Sequence, residues 1–179
     1  MDVDALIDAV IAREGGFVDH PADRGRATRW GITAAVARAE GYDGPIAALP
    51  RGVAAVIYRR LYWEAAGLPA LAIRAPRLAA ELFDTGVNMG VATAAVFLQR
   101  ALNALNRGAQ DYPDLAVDGA IGGRTLAALD AFLARRGKAG ETVLVRAVEA
   151  LQGERYIRLA ERRPANEAFV YGWLAGRIG

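Results

Sequence analysis

Apolar side chains recur at intervals of three and four along most of the chain. Val3, Leu6, Ile7, Val10 and Ile11 describe one face of an amphipathic helix. Asp2 or Asp4 can cap its start, and Gly15-Gly16 ends it. Thr33 reads as the N-cap of a second helix, which Gly41 stops. After a turn around Gly44-Pro45 the spacing predicts a helix over 51–63, with Val53, Val56, Ile57, Leu61 and Tyr62 available to a core. Further helices are expected at about 76–86, 91–107, 123–136, 141–163 and 166–175. Strand signals are scarce. Only residues 17–32 hold material for a short hairpin, Phe17-Val18 against Trp30-Gly31-Ile32. The expected class is mainly α with one small β-element near residues 17–32.

Between Asn106 and Asp118 the stretch "NRGAQDYPDLAVDG" is loop-like, either a linker or a long surface loop. It suggests a division into residues 1–106 and 107–179. The second part is too helical and amphipathic to be a tail, and no period of 20 to 50 residues marks a repeat array.

Composition narrows the classes. A chain of 179 residues suits one compact domain, or one with a modest extension, and its 54% apolar content excludes a mostly disordered chain. No apolar run approaches the roughly 20 residues that cross a bilayer, so no stable membrane insertion is expected. The start, "MDVDALIDAVIAREGG", carries aspartates where a secretory signal carries Lys or Arg. Cysteine is absent, which excludes a disulfide framework and a thiolate metal site. The single histidine, His20, argues against a zinc enzyme or a Ser/His/Asp hydrolase and reads as a solvated loop residue. No metal or cofactor is expected. The net charge is +2, with basic residues that are almost wholly arginine, which suits an acidic polymer without choosing one. No helix with a clustered basic face stands out, so nucleic acid is not an expected partner.

Against this background "EGGFVDHPADRGRATRWGIT", residues 14–33, is unusually polar and glycine-rich. Cleaving a glycosidic bond commonly needs two carboxyl groups, one donating a proton to the leaving oxygen, the other ionised to direct water or stabilise the sugar cation. Glu14 falls at a helix C-terminus, where the macrodipole disfavours negative charge and apolar neighbours add desolvation, conditions that suit a proton donor. Asp23, in a polar loop, suits the ionised role, and Thr28 can hold water beside it. The same residues also read as a helix end followed by a turn.

The ordered series Glu14-Gly15-Gly16-Phe17, Pro21-Ala22-Asp23, Gly25, Thr28 and Gly31-Ile32-Thr33 resembles the N-terminal signature of glycoside hydrolase family 108, lysozyme-like N-acetylmuramidases. The resemblance continues through "RRLYWEAAG" (59–67), "LFDTGVNMG" (82–90) and "FLQRALN" (97–103). It implies a lysozyme-like helical fold over 1–106 and hydrolysis of the β-1,4 bond between N-acetylmuramic acid and N-acetylglucosamine. Glu14 is then the general acid, Asp23 and Thr28 serve the water, and Asp19 is the competing second carboxylate. The spacing of Glu14, Asp23 and Thr28 is similar to the Glu, Asp, Thr set of phage-type lysozymes. The chain departs from the family pattern at Asp19-His20, Arg24, Gly25-Arg26 and Arg29. In the second part, "VDGAIGGRTLAAL" (117–129) and the residues from 154 to 178 resemble the predicted peptidoglycan-binding region that accompanies this family. That region was expected to pack against the first as one compact unit, with the alternative that it mainly buttresses the catalytic part.

Sugars offer apolar ring faces and many hydroxyls, so Trp30, Tyr58, Tyr62, Trp63, Phe83 and Asn88 are candidates to line a cleft. Trp30, Tyr62 and Asn88, with Asp19, are the expected substrate contacts. Asn88 stands out because "VNMG" is a helix end, whereas Trp173 reads as structural. "GAIGGRT" is no phosphate loop and "VDGAIGG" no EF-hand. The expected partner is the peptidoglycan glycan strand, met by a monomer in the periplasm or at the cell wall. A protein made in the cytoplasm without a signal sequence reaches it through a holin-type pore, a phage-like particle or dedicated export. This is the setting of a phage endolysin or a related bacteriolytic protein. A lytic transglycosylase, or a weakly active wall-binding or secretion-assisting protein, is the alternative. The inverting or retaining outcome stays open.

Overall fold

The structure is a computed structural model that describes residues 1–18 and 27–178. It is mainly α with a small three-stranded antiparallel sheet, and the chain divides into two compact units, Met1–Ala65 and Ala66–Gly179.

The first unit opens with α1 (Val3–Glu14). Asp2 caps it, its Oδ1 accepting from the amides of Asp4 at 3.0 Å and Ala5 at 3.1 Å. Ile7, Val10 and Ile11 are buried, and Gly15, at φ 77°, ends the helix in a conformation that favours glycine. Three two-residue strands follow: β1 (Phe17–Val18), β2 (Thr28–Arg29) and β3 (Ile32–Thr33). The partner of Phe17-Val18 is Thr28-Arg29 rather than Trp30-Gly31-Ile32. Trp30 and Gly31 instead form the turn that brings β3 back along β2, and both have positive φ (55° and 74°). Two-residue hairpin turns take this left-handed geometry because it matches strand twist.

Thr33 caps α2 (Ala34–Ala39) as expected, its Oγ1 accepting from the Val36 amide at 3.2 Å. After a single 3₁₀ turn, α3 (Arg51–Tyr58) runs directly into a π-helical turn over Arg59–Glu64. The 51–63 helix therefore exists, but its buried residues are Ala54, Ile57, Tyr58 and Trp63, while Val56 is 65% exposed. α3 packs against α1, so the i, i+3, i+4 stripe facing that helix decides burial, not side-chain size alone. The exposed ion pair Arg51–Asp8 (2.6 Å) and the Arg59–Asp4 pair join the same two helices and add little stability.

The second unit comprises α4 (Leu68–Ala72), α5 (Pro76–Met89), α6 (Val91–Leu105), α7 (Gly123–Arg162) and α8 (Glu167–Arg177). The two helices expected at 123–136 and 141–163 form one long run interrupted at Gly137, whose backbone leaves helical geometry (φ 60°, ψ −156°). Leu78, Leu82, Phe83, Leu98, Leu102, Leu129, Leu144 and Val148 form its fully buried core.

The segment joining α6 to α7, residues 106–122, is held by three amide side chains. Fully buried Asn106 donates to Tyr112 O (2.6 Å) and Asp114 Oδ1 (2.8 Å), and accepts from the amides of Asp111 and Tyr112. Asn103 brackets Leu115 through both its N–H and C=O at 2.8 Å. Gln99 donates to Asp118 Oδ1 (2.7 Å) and Ala120 O and accepts from Gly119 N. The hydrogen bond from Gln99 is the main reason the Asp118 carboxyl is held below its ordinary range. These side chains supply the backbone partners that a ladder supplies elsewhere.

Asn106→Ala leaves several buried polar groups without partners, and we expect a loss of about 3 kcal/mol in urea unfolding. Tyr112 offers a second check. Its hydroxyl donates to Leu102 O at 2.7 Å, and burial first, then Asp111 and Asp114, push its pKa from 10.0 up to about 12. The folded state thus holds this proton more tightly than the unfolded chain. The resulting stability is fully present below pH 10 and is lost as pH rises through about 12. Tyr112→Phe is expected to weaken that alkaline dependence in unfolding measured between pH 9 and about 12.

Candidate functional site

Glu14 is the last residue of α1 and is partly buried. Its carboxyl lies against the backbone of the Trp30–Gly31 turn. A Cβ at Gly31 would sit 3.0 Å from both Glu14 Cγ and Glu14 Oε2, and 2.6 Å from Tyr58 Oη. Only glycine fits there, first for space and second for its φ of 74°.

Tyr58, 2% exposed at the end of α3, donates its hydroxyl to Trp30 O at 2.9 Å. The π turn that follows carries Tyr62, whose ring lies 5.4 Å from that of Tyr58. Burial raises the Tyr62 pKa above its ordinary value, and the Glu14 carboxylate adds to the effect. Two phenols, one from α3 and one from the π turn that continues it, thus stand beside Glu14. Phe17, three residues after Glu14, is 46% exposed.

Trp30 is a non-glycine residue at positive φ, a conformation that costs on the order of 1 kcal/mol. Three contacts hold it. Its Nε1 donates to Leu49 O at 3.1 Å, its carbonyl accepts from Tyr58, and the Arg29 guanidinium lies 5.3 Å from its ring centroid. Arg29 also donates to Ala47 O. The arginine that departs from the family pattern therefore braces the turn beside Glu14.

Thr28 lies on β2, opposite Val18 and Thr33. Glu14, Trp30, Tyr58 and Tyr62 are brought together around Gly31, on the sheet to which Thr28 belongs. Asp19, His20, Asp23, Arg24, Gly25 and Arg26 lie outside the described residues.

Asn88 belongs to the second unit, in the last turn of α5, and donates to the hydroxyl of Tyr156 on α7. That hydroxyl also accepts from Gln152, which in turn accepts from Thr85. Phe83 is fully buried and Trp63 is 4% exposed. Among the described residues no group of His, Asp or Glu is arranged to hold a metal ion, and no helix is long and apolar enough to cross a membrane.

The sequence did not single out Gly31 as the residue that admits the Glu14 carboxyl, nor Tyr58 as its buried neighbour. The positive-φ turn had a local signal in "WGIT", but its proximity to Glu14 had none.

Comparison with known proteins matches the chain in two spans. Residues 7–90 match the model of the glycosyl hydrolase 108 family, and residues 93–178 match that of the predicted peptidoglycan domain. Along 94% of its length the chain is similar to Brucella abortus SagA, at 26% identity, covering 95% of that chain with a TM-score of 0.61. No match was found among curated proteins. Together these define a glycoside hydrolase directed at peptidoglycan. The first span is thus similar to the glycosyl hydrolase 108 family and the second to the predicted peptidoglycan domain.

Gly31→Ala tests the cradle. The left-handed backbone alone is expected to cost about 1 to 2 kcal/mol. Displacing Glu14 is expected to lower turnover of purified peptidoglycan by about 100-fold. In a Tyr58→Phe background the closest conflict is gone, so the same substitution is expected to cost less, which a double-mutant cycle measures.

Proposed function

We propose that this protein is an N-acetylmuramidase that cleaves the β-1,4 bond between N-acetylmuramic acid and N-acetylglucosamine. Glu14 acts as the general acid. It gives its proton to the glycosidic oxygen as the C1–O bond breaks, and water adds at C1. A second carboxylate, Asp23 or in its place Asp19, takes the water's proton with Thr28 holding the water.

The observation that carries this reading is the setting of Glu14. Glu14 ends α1 part-buried, against the Gly31 backbone and beside two phenols, so its carboxyl is held in one position on the sheet to which Thr28 belongs. It lies within the span matching glycosyl hydrolase 108. Trp30 and Tyr62 are proposed to present ring faces to the sugars. The protein is proposed to act at the cell wall, reached by pore, particle or dedicated export, as an endolysin-type lytic protein does.

The test is digestion of purified peptidoglycan by wild type and Glu14→Gln, with mass spectrometry of the products. Wild type is expected to release reducing N-acetylmuramic acid ends, and the variant, still folded by circular dichroism, to lose at least about 1000-fold in rate. Substantial activity in Glu14→Gln removes the assignment of the acid. Anhydro-muramic ends indicate a lytic transglycosylase instead.

A further inference from the structure

Helix α8 has no fully buried residue, although it carries Phe169, Val170, Tyr171, Trp173 and Leu174. It is nevertheless fixed in place within its unit. Leu174 and Ile178 lie over Gly153 of α7, and Arg177 pairs with Asp84 of α5 at 3.2 Å with both side chains mostly buried. At its N-terminal end Asn166 donates to Leu159 O at 2.9 Å.

Three rings form a ladder on this helix and its neighbour. Tyr156, 2% exposed, lies 5.3 Å from Trp173 at 30°, and Trp173 lies 6.1 Å from Phe169 at 21°. The ladder runs from the interior to the surface, where Phe169 is 57% exposed. Packing accounts for Tyr156 and for the inner face of Trp173. It does not account for a phenylalanine left open at the end of a near-parallel stack. An exposed ring stacked on a second ring that is itself held from the interior offers a fixed, flat apolar face to a ligand.

The chemistry of the surface fits a sugar chain. A pyranose has a C–H face that sits on an aromatic face, whose quadrupole is negative. Its hydroxyl and acetamido groups need polar partners nearby. Asn88 supplies one, since its part-exposed amide is anchored to the Tyr156 hydroxyl that also anchors the ladder. An amide has two N–H donors and an acceptor, and Tyr156 takes one donor. Tyr156, Phe169 and Trp173 fall in the span matching the predicted peptidoglycan domain, whereas Asn88 falls in the glycosyl hydrolase 108 span. Both spans therefore contribute to one face of the second unit.

We infer that the Trp173–Phe169 face, with Asn88 beside it, is a glycan-binding surface for the peptidoglycan strand. It rests on peptidoglycan being the substrate, but not on which bond is cut. Trp173, which the sequence suggested was structural, is then the ring that orients Phe169 toward the sugar.

The test is co-sedimentation of the full-length chain with purified peptidoglycan sacculi, in a Glu14→Gln background so that the wall is not consumed. Phe169→Ala, an exposed site expected to fold normally, should bind about tenfold more weakly. Tyr171→Ala, 83% exposed but outside the ring ladder, should bind unchanged. A β-1,4 N-acetylglucosamine tetramer should compete, and a free stem tripeptide should not. Equal binding by Phe169→Ala, equal loss in Tyr171→Ala, or competition by the peptide alone overturns the inference while leaving peptidoglycan as the partner. A Phe169→Ala variant that binds normally but sediments as a smaller species shows a self-association face instead. Failure of the parent chain to bind sacculi overturns both this surface and its premise. Loss or survival of catalysis in Glu14→Gln bears only on the cleavage mechanism.

Discussion

A polypeptide backbone that passes a carboxyl group at van der Waals distance can carry no side chain at that point. Gly31 meets this constraint, and the rest of the first unit is arranged around it. The turn must be left-handed to reverse the chain in two residues, which places Trp30 in a conformation it would not choose. Leu49, Tyr58 and Arg29 then hold that residue through a carbonyl, a hydroxyl and a guanidinium. The energy stored in the turn is small, but it has to be balanced locally. The contacts that balance it are those that present Glu14 between backbone and phenol.

The π turn after α3 belongs to the same arrangement. In a π-helix the turn is wider than in an α-helix, and such turns are frequent at functional sites. Here it carries Tyr62 beside Tyr58, so that one ring is buried as a support and the other is left partly open beside Glu14. One helix thereby contributes both the floor and the wall of the cradle.

The second unit solves a different problem. Its connecting segment from 106 to 122 has no ladder or helix to satisfy its backbone, so Gln99 and Asn103 of α6 and Asn106, which caps that helix, take that role. A segment that resembles a linker in composition is held firmly against the helix that precedes it. The buried chain Thr85, Gln152, Tyr156 and Asn88 extends the same strategy toward the surface, setting a polar amide next to the aromatic ladder of α8.

Much of this was legible in the sequence. Asp2, Gly15 and Thr33 fixed element ends through local hydrogen bonds and backbone freedom, which depend on residues only a few positions apart. The helical class followed from apolar periodicity, and the ordered series from Glu14 to Thr33 carried the resemblance to the family whose model residues 7–90 match. Relations between distant segments were not legible. Two-residue strands are too short to show alternation, so the pairing of Phe17-Val18 with Thr28-Arg29 left no pattern to read. Nor did the burial of Ala54 in place of Val56, because it depends on the direction from which α1 approaches. The joining of Glu14, Gly31 and Tyr58 spans 44 residues and rests on packing. The sequence determined which residues were suited to chemistry and where its helices begin and end, because those properties are local. Tertiary structure alone decided which of them meet, because contact is a property of how separate elements share space.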